Sequence, residues 1–187
     1  MNYATIKRND IANGPGIRVS LFVSGCRHRC PGCFNREAWD FAFGEEFTPA
    51  VADGIFESSA PAYVEGLTLL GGEPFEPENQ APLLEFVREY RERFPTKSVW
   101  CYTGFLFEDI LAGKVGDPAT ARALLESIDT LVDGRFVEAK KSLALMFRGS
   151  SNQRIIDVKR SIAAGEAVIM PGRWERQMGS GNIDDSI

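Results

Sequence analysis

Short apolar runs and helical repeats take turns along this chain. Residues 17–24, Ile-Arg-Val-Ser-Leu-Phe-Val-Ser, are rich in β-branched and apolar side chains and follow the turn Asn13-Gly-Pro-Gly16. They predict a first strand. Glu65 to Leu70, Ser98 to Tyr102, Thr130 to Val132 and Arg154 to Val158 are similar runs bounded by turn residues, and Glu166 to Met170 predict a short last strand. Over 79–94 the rhythm changes. Leu83, Leu84, Phe86, Val87 and Tyr90 fall at helical spacing with charges between them, and Pro95 ends the segment. Shorter helices are expected over 49–60, 105–112 and 118–126.

Strands alternating with helices imply βαβ units and a parallel sheet. A closed barrel of eight such units takes about 250 residues, and this chain has 187. The expected architecture is therefore α/β, an incomplete, open (β/α) barrel of about five or six parallel strands. One domain is expected over residues 1–172. After Pro171 the composition turns polar, so 173–187 reads as a flexible tail. In open α/β sheets, ligands gather at the C-terminal ends of the strands. Four turns follow predicted strand ends here: the run Cys26 to Cys33, Gly71-Gly-Glu-Pro74, Thr103-Gly104 and Asp133-Gly134. They point to one active face.

Composition narrows the setting. Hydrophobic residues make up 44% and charged residues 25%, as in ordinary globular proteins. A net charge of −5 argues against a nucleic-acid binder, which usually carries a basic excess. No apolar stretch is long enough to span a bilayer and the start has no signal segment, so no membrane contact and a cytoplasmic location are expected. In that compartment the four cysteines are not expected to pair as disulfides.

Cys26, Cys30 and Cys33 have the spacing C-x3-C-x2-C. Thiolates are the usual ligands of iron–sulfur clusters, and three of them leave one iron of a cubane open to another ligand. Two other readings stand beside this one. A closed zinc site wants four protein ligands, and no second cysteine or histidine pair follows, although Cys101 could be recruited. Cys30-Pro-Gly-Cys33 also has the spacing of a redox thiol pair, which would leave Cys26 over. His28, the only histidine, reads as a supporting or exposed residue rather than a catalytic base. Trp39, Phe41 and Phe43 read as packing residues, or as aromatics that could meet a partner.

With Gly71-Gly-Glu-Pro74 one strand after the three-cysteine run, the sequence resembles the radical S-adenosylmethionine superfamily. Longer strings narrow the likeness: Asn13-Gly-Pro-Gly-Ile-Arg18, Leu21-Phe-Val-Ser-Gly-Cys26, Cys30-Pro-Gly-Cys-Phe-Asn35, Tyr102-Thr-Gly104, Leu131-Val-Asp-Gly134 and Phe147-Arg-Gly-Ser-Ser-Asn-Gln153. Together they resemble the glycyl-radical activases that serve anaerobic ribonucleoside-triphosphate reductase.

The resemblance implies a [4Fe-4S] cluster on Cys26, Cys30 and Cys33, with S-adenosyl-L-methionine on the open iron. It implies that Gly71, Gly72, Glu73 and Pro74 line the methionine end and that Gly32, Cys33 and Phe34 border the adenine. It implies reductive cleavage to a 5′-deoxyadenosyl radical that takes a hydrogen from a glycine of the reductase. Arg148, Ser150, Asn152 and Gln153 are candidate contacts to that glycine loop or to S-adenosylmethionine. The resemblance also implies a low-potential, flavodoxin-like electron donor. An activase for another glycyl-radical enzyme, such as pyruvate formate-lyase, shares the early motifs. A non-enzymatic zinc-binding module would keep the cysteines and none of this chemistry.

Overall fold

The computed structural model describes residues 1–172; the tail expected over 173–187 lies outside the described residues. The strands are β1 (Asn2–Asp10), β2 (Ile17–Val23), β3 (Glu45–Glu46), β4 (Val64–Gly71), β5 (Ser98–Tyr102), β6 (Thr130–Asp133) and β7 (Arg154–Asp157). The helices are α1 (Pro49–Ser59), α2 (Pro77–Arg93), α3 (Phe107–Leu111), α4 (Pro118–Glu126) and α5 (Val158–Ala164). The strands form one open sheet in the order β3-β1-β2-β4-β5-β6-β7.

The expectation of five or six parallel strands needs correction. Only β2, β4, β5 and β6 run parallel to one another; β1 and β3 on one side and β7 on the other are antiparallel. A short connection explains β1, and a connection without a crossover helix explains β7. A parallel neighbour needs a crossover of a dozen or more residues, usually helical. Six residues turn β1 back along β2, too few for a crossover. The segment from β6 to β7 contains only a 3-10 turn at Glu138–Lys140, so the chain re-enters the sheet at the end where it left. The predicted last strand, Glu166 to Met170, is no strand either. It contributes one isolated bridge, Ile156 to Ile169, at the outer edge of β7.

Alternation along each strand sorts its residues to two faces. Val19, Leu21, Val23, Leu67, Leu69, Val99, Cys101, Leu131 and Ile156 join the main core with the apolar stripe of the helices. In α2 that stripe is Leu83, Leu84, Phe86, Val87 and Tyr90, and Phe56 of α1 stacks on Phe86 at 5.5 Å. Asp117 and Asp157 cap α4 and α5 by accepting from Thr120 N and Arg160 N, and Gly165 ends α5 at φ 74°.

The alternate residues face away from the helices. Trp100, Val132 and Ile155 make a separate small cluster with Tyr102, Phe147 and Met170 against it. Arg18 lies among these residues, fully buried. Its guanidinium donates to Thr68 Oγ1 at 2.7 Å, to Ser98 Oγ at 3.0 Å, and to the Leu67 and Ser98 carbonyls at 2.6 and 2.9 Å. Burial pulls its pKa down to about 10, but at neutral pH it stays a cation. It ties β2, β4 and β5 together at their N-terminal ends, opposite the four strand-end turns.

Candidate functional site

The cysteine run leaves β2 through Gly25, whose φ of 91° a side chain rarely adopts. A Cβ there would also strike the Phe41 ring. The loop is stitched to the segment that follows it: Gly25 N donates to Ala38 O at 2.8 Å and Cys26 N to Trp39 O at 3.2 Å. Cys33 N closes a tight turn onto Cys30 O at 3.2 Å. Trp39, Phe41 and Phe43 are half-buried against this loop, and the Arg27 guanidinium lies 4.3 Å from the Phe41 ring centre. Arg27 also pairs with Glu76 and Glu78 at the start of α2.

The turn after β4 stacks directly beneath that loop. Gly72 N donates to Val23 O at 2.7 Å and Glu73 N to Gly25 O at 2.8 Å. A Cβ on Gly72 would sit 2.5 Å from Gly25 O, so glycine is required for this approach. Glu73 is 1% exposed. One carboxylate oxygen accepts from Phe75 N at 2.9 Å and Thr103 Oγ1 at 2.8 Å. The other accepts from Gly104 N at 2.7 Å and meets His28 Nε2 at 3.0 Å. His28 lies 4.4 Å from Phe105, centre to centre, and fills the space that a side chain on Gly104 would need. One buried carboxylate therefore joins three of the four turns. The sequence names Glu73 as a pocket residue; that its side chain acts inward, on His28, Thr103 and Gly104, carries no sequence signal beyond their shared place at strand ends.

All four turns border one cavity of about 580 Å³. Cys26, Cys30 and Cys33 form one wall, and Gly71, Gly72, Glu73, Thr103, Gly104 and Gly134 come from the other turns. Phe34 stands on its rim, 69% exposed. Gly32 and Pro74 are not in the wall. Gly32 packs beneath Glu138, whose carboxyl carbon would be 2.8 Å from a Cβ there, and Pro74 is buried behind its turn. Tyr102, Phe136 and Phe147 are cavity residues that the site reading did not name.

Burial and the charge of Glu73 push the Cys26 thiol up to about 12, and burial raises Cys30. Among the described residues no three His, Cys, Asp or Glu side chains converge as they would on a single metal ion. All three cysteines nonetheless line the one cavity. Cys101 is fully buried in the main core, on the helix-covered face. We expect Cys101→Ser to cost about 1–3 kcal/mol through the buried hydroxyl, while iron content after reconstitution stays that of the parent protein. Urea unfolding and iron analysis check the two halves.

Residues 134–153 form a flap beside the cavity, and the polar string at its end fastens it. Gln153 Nε2 donates to Gly134 O at 3.1 Å, and its Oε1 accepts from Gly149 N at 2.8 Å and Ser150 N at 3.1 Å. Asn152 Nδ2 donates to Arg135 O, Val137 N to Ser150 Oγ, and Arg148 Nη1 to Gln153 O. Arg148 and Gln153 line the cavity as well; Ser150 is fully buried and Asn152 stands behind the wall. Gln153→Ala should speed amide exchange at Gly149 and Ser150 by about 10–100-fold, the equivalent of losing 1–3 kcal/mol of local hydrogen bonding. Unchanged exchange there would show that the clasp does not hold the flap.

Three cysteines thus line a cavity at the C-terminal edge of an open sheet. Residues 12–156 match the family described as a 4Fe-4S single cluster domain. Relatives narrow the class. The anaerobic ribonucleoside-triphosphate reductase-activating protein of Escherichia coli K12 is 39% identical over 155 residues, covering 82% of this chain and 96% of its own length. The protein of that name from phage T4 is 38% identical over 83% of this chain and 93% of its own, and that of Pasteurella multocida 39% over 83% and 96%. The chain belongs to the family of anaerobic ribonucleoside-triphosphate reductase-activating proteins.

Proposed function

We propose that this protein is a radical S-adenosylmethionine oxidoreductase of the cytoplasm that activates anaerobic ribonucleoside-triphosphate reductase by placing a glycyl radical on it. The observation that carries the reading is that Cys26, Cys30 and Cys33 line one cavity together with three further strand-end turns. The donor set fits a [4Fe-4S] cluster. Cys26, Cys30 and Cys33 offer three thiolates, and the fourth cysteine faces the opposite side of the sheet, so one iron is left for a small-molecule ligand. When bound, the cluster supplies the electron that cleaves S-adenosylmethionine to methionine and a 5′-deoxyadenosyl radical, which takes a hydrogen from a glycine Cα of the reductase.

The chain's own residues bind and position. Gly71 and Gly72 bring bare backbone against the cavity, where the methionine end has room. Cys33 and Phe34 border the adenine end at the rim. Glu73 holds the cysteine loop, its own turn and the Thr103-Gly104 turn at fixed spacing and is itself fully hydrogen-bonded. Phe136 and Phe147 give the cavity apolar lining. No general base is needed for hydrogen-atom abstraction.

The reading is tested by anaerobic reconstitution with iron and sulfide. The reduced protein should turn S-adenosylmethionine into methionine and 5′-deoxyadenosine. Uptake of zinc alone, with no such products, would sink it and favour the binding-module alternative.

A further inference from the structure

The flap over residues 134–153 is fastened at its base and apolar at its tip. An isolated bridge pairs Lys141 with Ser150, and Ser151 N donates to Lys140 O at 2.9 Å. Together they close a loop over 142–149. The tip of that loop is Leu143-Ala-Leu-Met-Phe147, an unbroken apolar run, and none of its residues is buried. Leu143 is 83% exposed, the highest value among the large hydrophobic residues described.

Two of these side chains are anchored. Leu145 and Phe147 line the cavity. Phe147 holds φ at 56°, in a region that large side chains rarely enter, and its ring meets that of Trp100 edge-on at 5.8 Å between centres. Leu143 does not line the cavity and stands in solvent. The adjoining rim is apolar as well: Phe136 lines the same cavity and packs against the exposed Phe34. Single exposed apolar residues are ordinary, but a contiguous run beside a reaction cavity marks a surface that is covered when the protein works. At the other side of the sheet, β1 brings Lys7 to the cavity, an exposed cation suited to water.

The hydrogen removed in the proposed reaction belongs to a protein. The segment that carries it must therefore cross the rim to enter the cavity, and the flap is the side that gains by being covered. We infer, on the footing of the proposed activation of the reductase, that the flap tip is the landing surface for the glycine-bearing segment of the reductase, and that apolar side chains beside that glycine pack on Leu143, Leu145 and Phe147. Leu145 and Phe147 belong to the flap and to the cavity wall at once, so a segment held on the tip is continuous with one that reaches the cavity. No bond changes at the flap. Its contribution is to hold a mobile protein segment in place, which lowers the entropic cost of bringing the glycine to the reacting carbon.

The test uses the reconstituted full chain, the reductase, and the variants Leu143→Glu and Leu143→Met, with photoreduced deazaflavin, a small reductant, as the electron source. Leu143 is exposed and lies outside the cavity lining, so neither substitution should disturb the fold or the cleavage of S-adenosylmethionine alone. Leu143→Glu should raise the reductase concentration for half-maximal glycyl-radical formation at least about tenfold, the loss of one apolar interface anchor, and weaken binding in titration calorimetry to match. The rate at saturation and the cleavage without reductase should stay close to those of the parent, and Leu143→Met should behave as the parent does. Unchanged affinity and half-saturation would overturn the inference. So would an equal loss of cleavage without reductase, which would place the effect at the cofactor site. A parent dimer that Leu143→Glu splits in sedimentation would also overturn it, by giving the surface to a second copy of the chain. A parent protein that cleaves S-adenosylmethionine yet puts no radical on the reductase would count instead against the proposed function, and the calorimetric titration would still judge the surface.

Discussion

Cys26→Ser, Cys30→Ser and Cys33→Ser should each abolish stable cluster assembly and bring S-adenosylmethionine cleavage to background. The loss should go well beyond the roughly 10–100-fold typical of a residue that only supports a metal ligand. Each cysteine lines the same cavity, and the fourth, Cys101, cannot substitute. Cys101 points into the helix-covered core from β5, and reaching the cavity would require its side chain to cross the sheet. Visible absorbance and iron content after reconstitution check assembly, and chromatography of 5′-deoxyadenosine checks cleavage. Retention of a normal cluster by any of the three single variants would mean that the ligand set is misassigned.

Glu73→Ala should destabilise the fold by about 3–5 kcal/mol, the range for removing one member of a buried, hydrogen-bonded charged group. Domains of this kind unfold at about 5–15 kcal/mol, so the variant should be marginal. Removing the carboxylate strands the Phe75 and Gly104 amides, the Thr103 hydroxyl and the His28 ring in a water-poor site. Glu73→Gln should cost less, about 1–3 kcal/mol. Its amide oxygen can still serve Phe75 and Thr103, but its NH2 group then opposes the Gly104 N–H. Neutral His28 can turn acceptor toward that NH2, so the Gly104 amide is the group left worst placed. Urea unfolding orders the three proteins. Equal stability of the alanine variant and the parent would mean that the turns are held by their backbone contacts alone.

Much of this site was legible in the sequence because its elements announce themselves locally. Residues 17–24, 98–102 and 130–132 are apolar runs that end at turn residues, and the structure places strands there. Helix α4 has the bounds expected for it, set by Pro118 at its start and the Asp117 cap. Motif position carried further: four turns expected on one face do border one cavity.

What the sequence concealed depends on partners far along the chain. Strand β1 mixes Lys7, Arg8, Asn9 and Asp10 with few apolar residues, as a half-exposed edge does, and so lacks the strand pattern. The antiparallel course of β7 follows from the missing crossover helix, which a run of short apolar segments does not reveal. Glu73 reads in the sequence as part of a loop that approaches a ligand. Its four partners lie 2, 30, 31 and 45 residues away, so only the fold discloses that its side chain braces the loops. The Arg148 to Gln153 string, conspicuous in the sequence as a candidate contact, proves rich in bonds that hold the flap to itself.

Reconstituted protein, S-adenosylmethionine and photoreduced deazaflavin, mixed anaerobically with anaerobic ribonucleoside-triphosphate reductase, should give the doublet of a glycyl radical on the reductase in electron paramagnetic resonance. Replacing the target glycine with alanine should remove it. A radical that forms on pyruvate formate-lyase and not on the reductase would contradict the account.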